Sequence, residues 1–328
     1  MLEVKKYREE YKNLWDEFVE NSKNGTFLFQ RDFMEYHNDR FNDFSLMVFY
    51  NDKLVAVLPA NKYDDSTIIS HQGLTYGGFV FNSESSVNKV LTYIEIILKW
   101  LHLNNIDNLK IKHLPDFYSI CSQQEIEYAY YLLESECYRM DSAFVFEYGN
   151  TENKKLPKGR KSEIKKAERL NVTVKESESL KTFWDEILTP NLKSRFGVDP
   201  VHNEKEITLL KEKFPDKIKQ FNVFYNEEII AGATIFETKT TAHVQYLAGN
   251  DVARKTGALD YLFYYLINYY SDKKDFFDFG IVNEENGKRM NFGMMKWKES
   301  FGTRVFLHKF FNIKTSNNFL LSNDKLKT

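Results

Sequence analysis

The chain has 328 residues, 42% of them hydrophobic and 16% aromatic, and a formal net charge of −2. This length favours two domains, the apolar content is sufficient for two packed cores, and the near-neutral charge excludes a global attraction to nucleic acid or anionic membranes. The two cysteines, Cys121 and Cys137, lack metal-ligand spacing and therefore predict neither a disulfide scaffold nor a metal site.

The elements of the first half follow from apolar periodicity and turn residues. Helical spacing predicts a first helix that starts near Tyr7 and ends at Asn24-Gly25. The rest of this half is predicted to contain a short helix within 26–41, a hairpin at 44–60, strands at 67–70, 109–112 and 143–147, and helices at 87–103 and 126–133.

The polar stretch 149–155 gives the predicted boundary between two domains, 1–150 and 151–328. The second half is predicted to contain helices at 156–170, 180–192, 204–213, 257–270 and 288–299, a hairpin at 218–236, and strands at 172–175, 241–247, 276–279 and 305–313. Each half therefore consists of helices, a β-meander, and then helix–strand–helix–strand. This order predicts an α/β fold in which a mixed, twisted sheet is flanked by helices in each domain.

Two predicted hairpins are nearly identical in sequence. The first, Val48-Phe49-Tyr50-Asn51-Asp52-Lys53-Leu54-Val55-Ala56, returns in the second half as Val223-Phe224-Tyr225-Asn226-Glu227-Glu228-Ile229-Ile230-Ala231. Both combine an apolar run, a short polar turn and a second apolar run, which is a hairpin signal. The repeat predicts two copies of one α/β unit in tandem.

The sequence gives no sign of a membrane segment. The first residues lack the apolar run of a signal peptide, and no stretch approaches 18 apolar residues. We therefore expect no transmembrane helix and a cytoplasmic location.

Four motifs, taken in order, carry a family resemblance. They are His71-Gln72-Gly73 within 70–79, Arg160-Lys161-Ser162 within 160–174, His243-Val244-Gln245-Tyr246 within 242–260, and Glu284-Glu285-Asn286-Gly287 within 277–302. With the order of elements, they resemble the acyl-CoA N-acyltransferase (GNAT) superfamily and, in tandem, its FemAB-like branch. The fourth segment is most similar to acyltransferase-like proteins of sugar and cell-surface polysaccharide synthesis.

The resemblance implies transfer of an acyl or aminoacyl group to an amine. The donor is acyl-CoA in the general superfamily and aminoacyl-tRNA in the branch that builds peptidoglycan bridges. The GNAT donor loop reads Gln/Arg-x-x-Gly-x-Gly/Ala, and this chain keeps Arg254 and Gly257 but has Leu259 at the last position. The resemblance nevertheless implies a phosphate-binding role for Arg254, Lys255, Gly257 and Ala258, because free N–H groups at a helix start bind phosphate.

Amine acylation requires a base, a polarised carbonyl and positioning. His243 lies on the predicted strand 241–247, where alternation predicts His243, Gln245 and Leu247 on one face and Tyr246 on the other. His243 is therefore predicted to be the general base or a substrate anchor, or else a hydrogen-bonded core histidine. Gln245 and Tyr246 are predicted to position the substrate.

Acidic side chains mark the neighbouring strand. Asp278 interrupts the apolar strand 276–279 and is costly there unless paired, so it is predicted to contact a substrate amine or hydroxyl or to pair with Arg289 or Lys298. Glu284 and Asn286 follow at the strand end, where open α/β sheets bind ligands. Glu284 is the second candidate base, and Asn286 a candidate substrate-binding residue.

Five further residues are candidates for substrate binding. Arg195 and His202 flank a Pro-containing loop that is predicted to be either a substrate lip or a capped, solvated loop. In the first half, His71 and Tyr76 accompany a glycine-rich loop, which is either a site of that copy or a plain turn. Lys298 is either a solvated helix residue or a ligand of phosphate or carboxylate.

The predicted helix 156–170 carries six Lys and Arg residues. It is either a solvated face, a contact for tRNA, or a contact for the diphosphate of a nucleotide sugar.

The leading hypothesis is an N-acyltransferase that moves an acyl group from acyl-CoA to an amino group of a sugar or cell-envelope precursor, with its site in the second domain and no metal. The alternatives are a FemAB-type transferase that uses aminoacyl-tRNA on a peptidoglycan precursor, and a non-catalytic protein that binds a glycan or a partner.

Overall fold

The computed structural model describes residues 1–150 and 156–322, which divide into two compact units. Unit 1 comprises Met1–Asp141 and the described part of Leu307–Thr328, and unit 2 comprises the described part of Ser142–Phe306. Positions 151–155 of the predicted boundary stretch lie outside the described residues. The division into 1–150 and 151–328 stays a prediction about the repeated unit, since the compact units follow packing and have different bounds.

Unit 1 contains two small sheets with helices packed around them. Its strands are β1 (Leu2–Lys6), β2 (Leu46–Tyr50), β3 (Lys53–Leu58), β4 (Asn61–Lys62), β5 (Thr67–Ser70), β6 (Val80–Phe81), β7 (Asn108–Lys112) and the first part of β8 (Glu136–Glu147). Its helices are α1 (Lys12–Asn21), α2 (Arg31–Met34), α3 (Val87–Leu103) and α4 (Gln124–Leu132). The strand orders are β1-β2-β3-β6 and β4-β5-β7-β16, where β16 is Arg304–Lys314.

Residues of β16, close to the C-terminal end of the described chain, complete the core of unit 1. The apolar side of α3, which includes Ile94, Ile97 and Leu101, is fully buried. Phe311 and Ile313 of β16 belong to the same apolar cluster. Strand β16 also pairs antiparallel with β7, so residues beyond unit 2 complete a sheet of unit 1.

Unit 2 is a mixed sheet with helices on both faces. After the second part of β8 it contains α5 (Lys158–Arg169), β9 (Thr173–Ser177), α6 (Lys181–Phe183), a π-helical turn (Trp184–Leu188), α7 (Thr189–Phe196), α8 (Glu204–Lys213), β10 (Ile218–Tyr225), β11 (Glu228–Glu237), β12 (Thr241–Gly249), α9 (Asp251–Thr256), α10 (Ala258–Tyr269), β13 (Phe276–Ile281), β14 (Asn283–Glu284), β15 (Arg289–Met290) and α11 (Phe292–Glu299). The strand order is β8-β13-β12-β11-β10-β9, and only the β12–β13 pair among these neighbours is parallel. The predicted mixed α/β class is confirmed.

Three differences from the predicted elements have local causes. Strand β1 was not predicted, because Leu2–Lys6 contains only two apolar residues. The predicted helix 180–192 continues through the π-helical turn to Phe196, because it ends only at Gly197, whose φ of 67° is left-handed. The predicted helix 288–299 begins only at Phe292, because Arg289–Met290 pairs with Asn283–Glu284.

The two predicted hairpins are confirmed and share one geometry. Their turns place both central residues in the left-handed region, with φ of 47° and 65° at Asn51 and Asp52 and of 50° and 68° at Asn226 and Glu227. Such angles define the turn whose twist suits a two-residue hairpin. Both hairpins also shift register at the equivalent step, after Val48 and after Val223. The sequence repeat is therefore a structural repeat.

Across residues 1–150 and 156–322, none of the helices combines the length and the apolar character needed to cross a membrane.

Candidate active site

The two parallel strands of unit 2, β12 and β13, stop pairing at the candidate site. Their ladder runs from the Thr241–Phe276 pair to the His243–Asp278 pair, although β12 continues to Gly249 and β13 to Ile281. Beyond His243, the facing edges of the two strands are not paired with each other in the described residues. The last pair of the ladder therefore consists of two polar side chains, one from each strand.

His243 and Asp278 form a buried dyad at the point where the strands separate. The Nδ1 atom of His243 lies 2.7 Å from Oδ2 of Asp278, and the exposed fractions of the two side chains are 12% and 0%. The other carboxylate oxygen of Asp278 accepts the Gly280 N–H at 2.7 Å. A hydrogen bond from Nδ1–H to the carboxylate makes Nε2 the basic ring nitrogen. The partner of Asp278 on the adjacent strand is thus His243, which was not among its predicted partners, whereas Lys298, one of the two predicted partners, interacts with Asp278 through its charge.

Lys298 holds the end of β13 in place. Its Nζ donates to the carbonyl oxygens of Phe279, Gly280 and Ile281 at 2.7, 2.8 and 3.0 Å. Burial lowers the pKa of Lys298 to about 8, and the nearby carboxylate of Asp278 opposes that shift. Gly280 has a φ of +77°, and a Cβ there would lie 3.9 Å from both His243 Cε1 and Lys298 Nζ. Lys298 therefore lies beside the dyad and does not point into solvent as the alternative interpretation expected.

A bulge in β12 changes which residues share a face. Thr234 of β11 pairs with Tyr246 and Ile235 with Val244, so Gln245 is an extra residue between them. Since Phe236 is opposite His243 and Thr234 opposite Tyr246, His243 and Tyr246 lie on the same face. Leu247 instead packs with the cluster that contains Ala242 and Val244. The predicted alternation, with Leu247 beside His243 and Tyr246 opposite, is therefore wrong.

His202 is buried beside Tyr246 and is therefore not part of an exposed substrate-binding loop. Its backbone N–H donates to the Tyr246 hydroxyl at 3.1 Å, and its Nδ1 is hydrogen-bonded to the same hydroxyl. The indole N–H of Trp184, in the π-helical turn, donates to the His202 carbonyl at 3.1 Å and its ring packs edge-on against Tyr246. Burial raises the pKa of Tyr246 to about 12, which keeps the phenol protonated near neutral pH.

The remaining candidates near the end of β13 are exposed. Glu284 is paired with Arg289, with 3.6 Å between Oε2 and Nε, and its other oxygen accepts from Asn291 at 3.3 Å. Asn286 follows in the turn with a φ of 55°. A paired, exposed carboxylate is a weaker base candidate than the buried dyad, so the geometry favours His243 over Glu284.

The predicted donor loop divides into an exposed and a buried part. Arg254 and Lys255 are exposed, and Arg254 is paired with Asp251 at 2.6 Å. Ala258 is fully buried, and a Cβ on Gly257 would lie 2.7 Å from the Glu163 carbonyl of α5. A phosphate role for these four residues stays a prediction, with Arg254 and Lys255 as its accessible members. Arg195, at the end of α7, is likewise exposed.

Helix α5 presents two different surfaces. Arg160 is ion-paired with Asp260 of α10 and donates to Ser300 at 2.9 Å. On the opposite side an exposed row, here called the α5 stripe, consists of Lys158, Lys161, Lys165 and Arg169. None of the four is ion-paired with a carboxylate in the part of the chain that the structure describes. The predicted basic helix thus keeps four solvated cations.

In unit 1, the two candidates are buried in packed surroundings. His71 is 2% exposed, and its Nδ1 accepts the Gly73 N–H at 3.3 Å. Tyr76 is also 2% exposed, and its hydroxyl donates to Thr26 at 3.1 Å. A substrate role for either residue stays a prediction. No cluster of three or more His, Cys, Asp and Glu side chains suited to a metal ion occurs within residues 1–150 and 156–322.

Sequence reasoning missed Gly280 and Trp184. A signal for Trp184 existed, since Trp15-Asp16-Glu17 of α1 returns as Trp184-Asp185-Glu186 of the π-helical turn. Both indoles are buried and donate to a backbone carbonyl, Trp15 to Phe29 at 2.7 Å and Trp184 to His202. Gly280 carried no sequence signal beyond its position after Asp278.

Comparisons with known proteins identify the fold. The chain matches no protein-family model and no curated protein sequence. It is similar to the crystal structure of FemX (TM-score 0.67, 13% identity, 97% of this chain and 99% of that chain). It is also similar to L-PGS from Bacillus licheniformis (TM-score 0.59, 12% identity, 97% and 96%) and to a tandem GNAT protein from the clavulanic acid biosynthesis pathway (TM-score 0.51, 8% identity, 96% and 99%). The chain therefore has the FemX-like tandem GNAT fold that its sequence resemblance implied.

Proposed function

We propose that unit 2 transfers an acyl group from an activated ester or thioester to an amine of a sugar or cell-envelope precursor, with His243 as the general base. The observation that carries the proposal is the buried His243–Asp278 dyad at the point where β12 and β13 separate. In this proposal the donor lies along β12 and β13 beyond their last pair, next to the dyad. The fold shared with FemX and a tandem GNAT protein supports the same reaction class.

The reaction needs one proton to move. The amine nitrogen bonds to the acyl carbon while its proton passes to Nε2 of His243, and the bond from the acyl carbon to the leaving sulfur or oxygen then breaks. The leaving group takes the proton back from His243. Asp278 holds the imidazole in the required tautomer and stabilises its charged form. Gly280 and Lys298 act as positioning residues, because they fix the carboxylate and the end of β13.

Acyl-CoA is the first candidate donor. It is the donor implied by the general GNAT resemblance, and Arg254 and Lys255 are exposed cations close to the end of β12 in sequence. Phosphate groups favour such positions because charge-assisted hydrogen bonds are strong.

Aminoacyl-tRNA is the second candidate donor, and the α5 stripe is the observation that favours it. Four solvated cations on one helix face match a phosphodiester backbone. The FemAB-like resemblance implies this donor, and the net charge of −2 does not prevent a local contact.

A thermal-shift panel of acyl-CoAs, nucleotide amino sugars and bulk tRNA tests the donor. An acyl-CoA enzyme gives a saturable rise in melting temperature with at least one acyl-CoA. His243→Ala should keep that rise but lose acyl transfer, because the base is needed for chemistry and not for donor binding. No shift with any acyl-CoA, together with tight tRNA binding, contradicts the first candidate.

The tRNA candidate has its own matched test. Lys161→Glu with Lys165→Glu should weaken tRNA binding and lower the slope of log K against log salt by about 2, whereas Lys181→Glu on α6 should change neither. Full biological activity in a His243→Ala, Glu284→Ala double variant would instead support a non-catalytic binding protein.

A further inference from the structure

Gln245 occupies a position that sequence periodicity does not assign. It is the extra residue of the β12 bulge, between His243 and Tyr246, which share one face of the sheet. Its side chain lies close enough to the Tyr246 hydroxyl to affect the pKa of that phenol and is therefore on that same face. His243 and Gln245 are two residues apart along a strand, about 7 Å, so their side chains can reach one small group between them.

The amide nitrogen and the amide oxygen of Gln245 have different surroundings. Its amide contacts Tyr246, whereas Oε1 is buried and has no hydrogen-bond partner among residues 1–150 and 156–322. A buried acceptor without a donor destabilises the folded state, so such an atom in a candidate site points to a ligand donor. The residue as a whole is only half-buried, so a ligand can approach the side chain from its exposed side.

We propose that Oε1 of Gln245 selects a primary amine over a hydroxyl group as the acyl acceptor, an inference that rests on the proposed function. A neutral primary amine carries two N–H bonds. One is directed at Nε2 of His243, which takes that proton, and the other donates to Gln245 Oε1. The lone pair then points away from both and toward the acyl carbon.

A hydroxyl group cannot satisfy both acceptors. Its single O–H hydrogen is required by His243, and Gln245 Oε1 then stays without a donor when the site closes around the ligand. A site built to hydrogen-bond one group strongly rejects the analogue that lacks it. The same sheet face contains Gln220, whose Oε1 accepts from Thr234 at 2.7 Å and whose amide donates to Asn222 at 2.8 Å. Gln220 is therefore a satisfied glutamine against which Gln245 can be compared.

The first arm of the test measures the stability of the ligand-free full chain. Gln245→Met removes a buried acceptor without a donor, and the Tyr246 hydroxyl that loses the nearby amide keeps its contacts with His202, so the melting temperature should change little. Gln220→Met leaves Thr234 and Asn222 without partners and should lower the melting temperature by several degrees. A melting temperature that falls equally in both variants overturns the inference, because Oε1 of Gln245 would then have a partner.

The second arm compares D-glucosamine and D-glucose, which differ by one amino group, as probes in calorimetric titrations. The wild type should bind the amine at least about tenfold more tightly, and Gln245→Met should reduce that ratio to near one. An unchanged ratio in the variant, or no binding of the amine by the wild type, overturns the inference. If the donor panel finds no transfer while the amine preference and its loss in Gln245→Met persist, only the proposed function fails.

Discussion

In each unit, the ladder between two parallel strands starts at a threonine, yet the side chains that face each other two residues later differ between the units. In unit 2 the ladder starts at Thr241–Phe276 and places His243 opposite Asp278 two residues later. In unit 1 it starts at Thr67–Asn108 and places Ile69 opposite Lys110. The second copy therefore has a base and a carboxylate where the first has an aliphatic side chain and a cation.

The space beyond each ladder differs as well. In unit 1 the chain turns back after β5, so that the Gly77 N–H donates to the Lys112 carbonyl at 2.6 Å and Gly77 bridges to His113. In unit 2 the end of β13 is bonded by a lysine side chain, because Lys298 donates to the carbonyl oxygens of Phe279 and Gly280. Beyond the two ladders the units therefore differ, because a segment of the chain bonds to the end of β7 in unit 1 and a lysine side chain bonds to the end of β13 in unit 2.

The largest expected effect is on kcat and distinguishes the His243–Asp278 pair of unit 2 from the Ile69–Lys110 pair of unit 1. Asp278→Asn should lower kcat by about 10³–10⁴-fold with little change in KM, because the amide no longer holds His243 in the base tautomer. Lys110→Ala, at the matching register of unit 1, should leave kcat unchanged. Both are measured with the donor found in the panel, and a loss below about tenfold in Asp278→Asn would mean that the dyad is structural.

Glycine substitutions compare how tightly the backbone is packed beyond the two parallel ladders. A Cβ at Gly77 would lie 1.6 Å from the Ser70 carbonyl oxygen and 2.7 Å from the His71 nitrogen, both backbone atoms. Gly77→Ala should therefore lower the unfolding free energy by about 3 kcal/mol or more. Gly280→Ala meets nothing closer than 3.9 Å and should cost only the left-handed strain, about 1 kcal/mol. Equal losses in urea denaturation would contradict the difference in packing.

Each unit also contains a lysine whose ammonium group donates to several backbone carbonyls. Lys112 donates to Gln72 and Leu74 at 3.0 and 2.9 Å, and burial lowers its pKa, like that of Lys298, to about 8. Below about pH 8 each lysine is charged in both states. Between that pH and the ordinary value of 10.5 the unfolded chain binds more protons, so the unfolding free energy rises with pH.

That rise should reach about 3 kcal/mol per lysine across the window, and above it the lysine is neutral in both states. The difference in unfolding free energy between the wild type and Lys298→Met should therefore increase in favour of the wild type from pH 8 to 10.5, and Lys112→Met should give the same trend. Denaturant melts at several pH values measure it. A difference that stays constant with pH would show that the lysines keep their ordinary titration.

The smallest expected effect is on the unfolding free energy, and it should be the same for the hairpin turn of each unit. Asp52→Gly and Glu227→Gly each create an Asn-Gly turn at a position whose φ is 65° and 68° respectively. Glycine adopts this conformation without steric cost, so each change should add about 0.5 kcal/mol to the unfolding free energy. Unequal changes, measured under identical conditions, would indicate that the repeated turns are under different strain.

The parts of the fold that sequence predicted are those with local signals. The hairpins were predictable because Asn51 and Asn226 occupy the turn between two apolar runs, and helix α5 because its apolar and basic residues follow helical spacing. The His243–Asp278 pair was not, because the two residues lie on different strands and only the parallel register brings them together. Sequence reasoning chose both residues but did not pair them with each other.

The face assignment failed for a related reason. A bulge adds one residue to a strand, and the apolar alternation around Gln245 continues in sequence although the faces exchange. Glu284 was a plausible base by its position at a strand end, but its pairing with Arg289 depends on the small β14–β15 ladder, which has no periodic pattern.

Strand β16 has a consequence for how the protein is made. Until the ribosome has synthesised Phe310–Lys314, the edge of β7 that receives them exposes its N–H and C=O groups. At about 5–20 residues per second, the intervening chain takes roughly 10–40 s to emerge. Unit 1 therefore cannot finish folding before unit 2 has been translated, and the nascent chain has a waiting strand edge that a chaperone would need to shield.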